Sequence, residues 1–115
     1  MMKIKHKSDK HRQAALWAAD CAQNVLLYFE KERSKDKRPR KAIKAARDWV
    51  FGRIEIAEAR KFALDAHAAA RKAKNPSAIA AARAAGHAAA TAHVAGHAIH
   101  AVNYAAKAVN ASEKD

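Results

Sequence analysis

The sequence predicts an all-α fold, a compact Ala-rich bundle of about five helices, and three observations carry that prediction. Ala supplies 33 of the 115 residues, and Ala is the strongest helix former and a poor strand former. Leu, Ile, Val, Phe, Trp and Tyr together number only 22, and the β-branched and aromatic runs a sheet would need are nearly absent. Gly 3, Pro 2 and Cys 1 exclude collagenous, low-complexity and disulfide-scaffold classes. The length fits one domain, residues 1–115, with a basic N-terminal arm at 1–8 and a frayed tail at 112–115.

The elements follow in chain order. Ser8 is placed to cap a first helix from Asp9 to Arg33, with Ala14, Trp17, Cys21, Val25 and Tyr28 at the spacings of one buried face. A polar stretch from Ser34 precedes Pro39, whose fixed φ suits a first turn, so a second helix runs from Pro39 to Phe51. Gly52 closes it as a left-handed cap. Ile54-Glu55-Ile56 has no strand partner and is absorbed into a third helix from Ile56 to Lys74. Asn75-Pro76 stops that helix and opens the next. From Ser77 to Ala111 one unbroken helix would be roughly 50 Å long at 1.5 Å per residue, too long for a domain of this size. A break is therefore placed at Thr91, read as the N-cap of a fifth helix from Ala92 to Asn110, the alternative being a kink at Gly96. Ala lets helix axes approach closely, so the late helices are expected to be the central ones. Trp17, Tyr28, Phe29, Trp49, Phe51 and Phe62 are expected to supply a stabilising aromatic cluster.

Composition also limits function. No stretch approaches the roughly 18 apolar residues of a membrane span, and no apolar block follows Lys3, Lys5, Lys7 and Lys10 as a secretory signal requires. A cytoplasmic protein without membrane contact is expected, with Cys21 a small buried hydrophobe. Neither a glycine-rich phosphate loop nor a paired-acid or nucleophile–base arrangement is visible, so no enzymatic activity and no cofactor are expected. His93, His97 and His100, continued by Tyr104 and Lys107, form one helical stripe. His93 and His97 at i, i+4 are the one candidate metal pair, but His100 lies about 10 Å along the axis, and Asp65, His67 or Cys21 would have to complete the site. Hydrogen bonding in a polar groove explains the histidines with fewer demands.

Positive charge is concentrated as well as large, with a net charge of +12. Lys31 to Arg47 holds nine basic residues against Glu32 and Asp36. Arg38, Arg40, Lys41, Lys44 and Arg47 are the candidate partner-binding residues within it. The outlets for such a patch are an acidic protein surface or nucleic acid. Interleaved aromatics for base stacking are absent.

The runs Trp17-Ala18-Ala19-Asp20-Cys21-Ala22, Arg38-Pro39-Arg40-Lys41-Ala42-Ile43, Glu58-Ala59-Arg60-Lys61, Ala66-His67-Ala68-Ala69-Ala70-Arg71 and Ala84-Ala85-Gly86-His87-Ala88-Ala89-Ala90-Thr91-Ala92-His93-Val94 resemble the immunity-five-like family of bacterial polymorphic toxin systems. The resemblance spans roughly residues 13 to 109. It implies an all-helical protein that binds and neutralises a cognate toxin without catalysis. The polar positions it implies, beside Arg38, Arg40 and Arg47, are Asp20, Arg60, His67, His87, Thr91, His93 and His97, lining one polar cluster or locking the helices together. The chain departs from the family's look in its basic run from Lys35 to Lys44 and in His100. That extra charge favours a toxin with an acidic surface, the alternative being a basic nucleic-acid-binding helical protein.

Overall fold

The computed structural model describes residues 8–114, which form α1 (Asp9–Glu32), α2 (Arg38–Val50), α3 (Ile56–Lys72), α4 (Pro76–Ala90) and α5 (His97–Ser112), with no strand among the described residues. The arm lysines Lys3, Lys5 and Lys7 and the terminal Asp115 lie outside the described residues. Local chemistry sets most helix ends. The Ser8 hydroxyl accepts the His11 N–H at 3.0 Å, and Asn75 accepts the Ser77 N–H at 2.9 Å with Pro76 at the first helical position. Glu58 reaches back to the Glu55 N–H at 3.3 Å at the start of α3. Gly52, at φ 76°, takes the left-handed turn after α2 that a side chain would resist.

The helices stack in two layers. α4 touches every other helix, flanked by α3 and α5, while no α3 Cα lies within 8 Å of one in α5. α1 packs on α4 and α5, and α2 on α3 and α4, so α1 and α2 cover one face of the α3–α4–α5 layer. The result is a slab of 53 × 23 × 16 Å. Ala makes this thinness possible. Ala18, Ala19, Ala22, Ala42, Ala46, Ala66, Ala81, Ala85 and Ala88 are all fully buried, and backbones approach where side chains end at Cβ.

That packing corrects three sequence expectations. The buried face of α1 is Ala15, Ala18, Ala19, Ala22, Val25, Leu26 and Phe29; of the expected stripe Val25 lies within it, Ala14, Cys21 and Tyr28 pack only against its edge, and Trp17 is turned away. In a body this poor in large side chains, the closest seam forms on the Ala positions and bulky groups move to its rim, leaving Trp17 47% exposed. The aromatic cluster is divided for the same reason: Phe29 lies in the main core, Trp49 in a smaller one with Ala15 and Ala92, and Phe51 is 62% exposed. Of the two late helices only α4 is central, whereas α5 flanks it.

Small differences at the ends also have causes. α2 begins at Arg38 rather than Pro39, and α1 and α3 stop one and two residues early. The fifth helix starts at His97, five residues later than expected. Thr91 is the C-cap of α4 rather than an N-cap: its hydroxyl donates to the His87 carbonyl at 2.9 Å, a bond that ends α4 instead of opening a new helix. Residues 92–96 then turn the chain so that α5 returns along α4. The His11 Nε2 atom lies 2.6 Å from the Thr91 carbonyl oxygen, and its ring rests on Trp49 with centroids 4.7 Å apart, fastening α1 to this turn.

Candidate functional site

Two cationic surfaces result, one on each face of the slab. The first is the run from Lys31 to Arg47, and the fold neutralises much of it. Arg38 donates to Asp36 at 2.9 and 2.7 Å, and Arg40 makes a two-pronged contact with Glu30 at 2.8 and 2.6 Å. Lys44 donates to Asp48 at 2.7 Å, and Arg47 to Asp20 at 2.9 Å and Gln23 at 3.1 Å. Hydrogen bonds from Arg40, Arg38 and Lys44, respectively, hold the Glu30, Asp36 and Asp48 carboxyls below their ordinary range. Two of these acids, Asp20 and Glu30, lie on α1 outside the basic run and reach it through the fold, while Asp48 meets Lys44 one turn along α2 itself. Of the five candidate partner-binding residues, Lys41 alone has no side-chain hydrogen bond or ion pair among the described residues.

The second surface is the open face of the α3–α4–α5 layer. Almost all of α4 is buried, and only Ile79, Arg83, His87 and Ala90, at helical spacing, stand half-exposed between its neighbours. Arg83 lies 2.8 Å from the Nδ1 atom of His67 on α3. A guanidinium only donates, so His67 accepts at Nδ1 and carries its proton on Nε2. The Nδ1 atoms of His87 and His97 lie 3.1 Å apart, one donating to the other. The His87 ring is enclosed by the rings of His67 at 4.9 Å, His100 at 5.1 Å, His97 at 5.2 Å and Tyr104 at 5.4 Å. The Tyr104 ring lies nearly parallel to it, and Lys107 caps Tyr104 from 4.8 Å.

Burial pushes His67 down to about 4, helped by Arg83, Arg71 and His97; burial likewise pushes His87 down to about 4, helped by His67, His97, His100 and Arg83. His97 is lowered by burial and by His100 and His93. At neutral pH His67, His87 and His97 are therefore uncharged imidazoles beside a charged arginine. Between residues 59 and 112 the one carboxylate is Asp65, and it makes no ion pair among the described residues. Arg60, Arg71 and Arg83 are the described arginines without a carboxylate partner, and of these Arg83 alone is withdrawn from solvent.

Gly86 makes the cluster possible. A Cβ built there would lie 2.7 Å from both Cε1 and Nε2 of His67, so α3 and α4 can hold that ring only against a bare backbone.

Residues 5–115 match the family described as Imm-5 like putative immunity protein. The chain belongs to this family. Comparison with curated proteins and with solved structures returns no match. In this Imm-5 like protein, the polar positions named from the sequence are distributed over several places. His67, His87 and His97 meet in the cluster. Asp20 pairs with Arg47 on the opposite face, Arg60 is exposed on α3, and Thr91 is buried as the α4 cap. His93 is exposed in the turn before α5, off the helix that would have aligned it with His97. No group of three or more His, Cys, Asp or Glu among the described residues is arranged to hold a metal ion. Arg83 and Gly86 were not singled out from the sequence, although the scarcity of acids after residue 59 is the signal that marks Arg83 as unneutralised.

Proposed function

We propose that this Imm-5 like protein binds and neutralises a cognate toxin by direct, non-catalytic contact. The observation that carries the reading is the family match across residues 5–115. Its single described thiol, Cys21, is pushed up by burial and by Asp20, which keeps it a protonated, weak nucleophile and supports a binding role over a catalytic one. The partner is a toxin with an acidic surface. Lys37, Arg40, Lys41 and Lys44 stand exposed along the outer edge of α2, and rim charges of this kind accelerate and orient association. Pairing of Arg38, Arg40, Lys44 and Arg47 with acids leaves fewer free cations for phosphate contacts and favours a protein partner over nucleic acid.

The experiment is capture of the tagged protein's partner from its source, followed by assay of that partner's toxicity with and without the purified chain. Specific capture of a toxin whose activity is abolished at equimolar ratio is expected. A captured partner with unchanged toxicity, or salt-sensitive retention on nucleic acid in place of a protein, would overturn the reading.

A further inference from the structure

We propose that the strip formed by His67, Arg83, His87 and His97 on the open face of the α3–α4–α5 layer receives an acidic side chain, an Asp or Glu carboxylate, from the protein partner. The inference rests on the toxin-binding reading and names the site and the chemistry of the contact. Its starting point is an imbalance of charge. Arg12, Arg33, Arg38, Arg40, Arg47 and Arg53 each hold a carboxylate within the chain, while Arg83, half-buried, has only the neutral His67 imidazole. A guanidinium withdrawn from water without a counter-charge is costly, and two-pronged carboxylate binding is the geometry it satisfies best.

The surroundings agree in sign. The groups facing the strip are Arg71 and His67 on α3, Arg83 and His87 on α4, His93 in the turn, and His97, His100, Tyr104 and Lys107 on α5. None is acidic. Leu64, 69% exposed, stands one turn from His67 on α3, and Ile79 one turn from Arg83 on α4, so apolar contact adjoins the charged centre as a protein interface requires. Nucleic-acid phosphates are the less suitable occupant. Tyr104, the one aromatic of the strip besides the imidazoles, is already stacked on His87 and capped by Lys107, leaving no free ring for a base.

A carboxylate placed here favours the protonated imidazoles, so binding takes up protons and tightens as pH falls from 7 toward 5.

The test does not need the toxin in hand. A terminally blocked tetraglutamate peptide is titrated into the full chain while the ring signals of His67 and His87 are followed by NMR, with tetraglutamine, inorganic phosphate and a short oligonucleotide as parallel probes. Tetraglutamate is expected to move both ring signals and to raise their titration midpoints, and tetraglutamine to move neither. Arg83→Gln should weaken the response about tenfold or more, the loss expected for one charged hydrogen-bond partner. Arg83→Lys retains the charge and should fall between the two, with circular dichroism confirming that all three chains are equally helical. No response of either ring to tetraglutamate, an equal response in Arg83→Gln, or a response to the oligonucleotide alone would overturn the proposal. With a captured toxin, unchanged affinity in Arg83→Gln would overturn this site while leaving toxin neutralisation standing. A wild-type chain that binds tetraglutamate through Arg83 but inhibits no captured toxin would overturn the toxin as the source of the carboxylate.

Discussion

Gly86→Ala should change sign depending on whether His67 is present. In an ordinary helix interior, Gly to Ala stabilises by about 1 kcal/mol. Gly86 occupies the middle of α4 and has no unusual backbone angle, so that gain is available. The added Cβ, however, would stand 2.7 Å from two atoms of the His67 ring. An imidazole can swing aside, which makes the steric cost small, but swinging aside breaks the 2.8 Å bond with Arg83. A hydrogen bond to a charged group contributes about 1.5–3 kcal/mol. The net effect in the wild-type background is a loss of about 0.5–2 kcal/mol. In a His67→Ala background no ring opposes the new methyl, and the same change should stabilise by about 1 kcal/mol. Urea unfolding of the four proteins, followed by helical circular dichroism, gives the coupling between the two positions as a double-mutant cycle. Effects of Gly86→Ala that agree within about 0.5 kcal/mol in the two backgrounds would refute the packing argument.

The histidines make stability depend on pH in a defined direction. His67 and His87 have folded values near 4 against an ordinary 6.5. The unfolded chain therefore binds more protons below 6.5, and the stability these residues contribute is complete above 6.5 and lost as pH falls toward 4, by on the order of 2 kcal/mol each after allowance for partial exposure. Thermal melts across that window should show the fall, and His67→Asn should flatten it. Ala88→Leu and Ala98→Leu place three extra carbons where the wild-type residues are 0% and 3% exposed, and each should lower stability by roughly 1–3 kcal/mol in denaturant melts. Glu32→Ala should cost about 1–2 kcal/mol, because the Glu32 carboxylate accepts the Lys74 N–H at 2.9 Å and the Asn75 N–H at 2.8 Å where α4 begins. Arg40→Ala should cost less than about 1 kcal/mol, since its pair with Glu30 is solvent-facing.

What the sequence determined by itself was whatever depends on neighbours along the chain. Ser8, Gly52, Asn75 and Pro76 mark helix ends through their own backbone preferences and short-range hydrogen bonds, and the excess of Ala selects helix over strand residue by residue. What only the tertiary structure decided was which side of each helix meets which partner. The spacing of Ala14, Trp17, Cys21, Val25 and Tyr28 described a coherent apolar face, yet an Ala seam allows closer approach and took the interior, keeping Val25, leaving Ala14, Cys21 and Tyr28 at its edge and turning Trp17 outward. The count of cations between Lys31 and Arg47 could not include Asp20 and Glu30, which oppose Arg47 and Arg40 only after α1 and α2 are folded together. Glu32 caps a helix more than forty residues away, a contact no local pattern announces. The stripe of His97, His100, Tyr104 and Lys107 was visible in periodicity, but its meeting with His87, and through that ring with His67, required α4 to bring its one open edge between α3 and α5. Charge that reads as a sum along a sequence acts as a set of distances in space, and there Arg83 is a half-buried cation with no acid of its own.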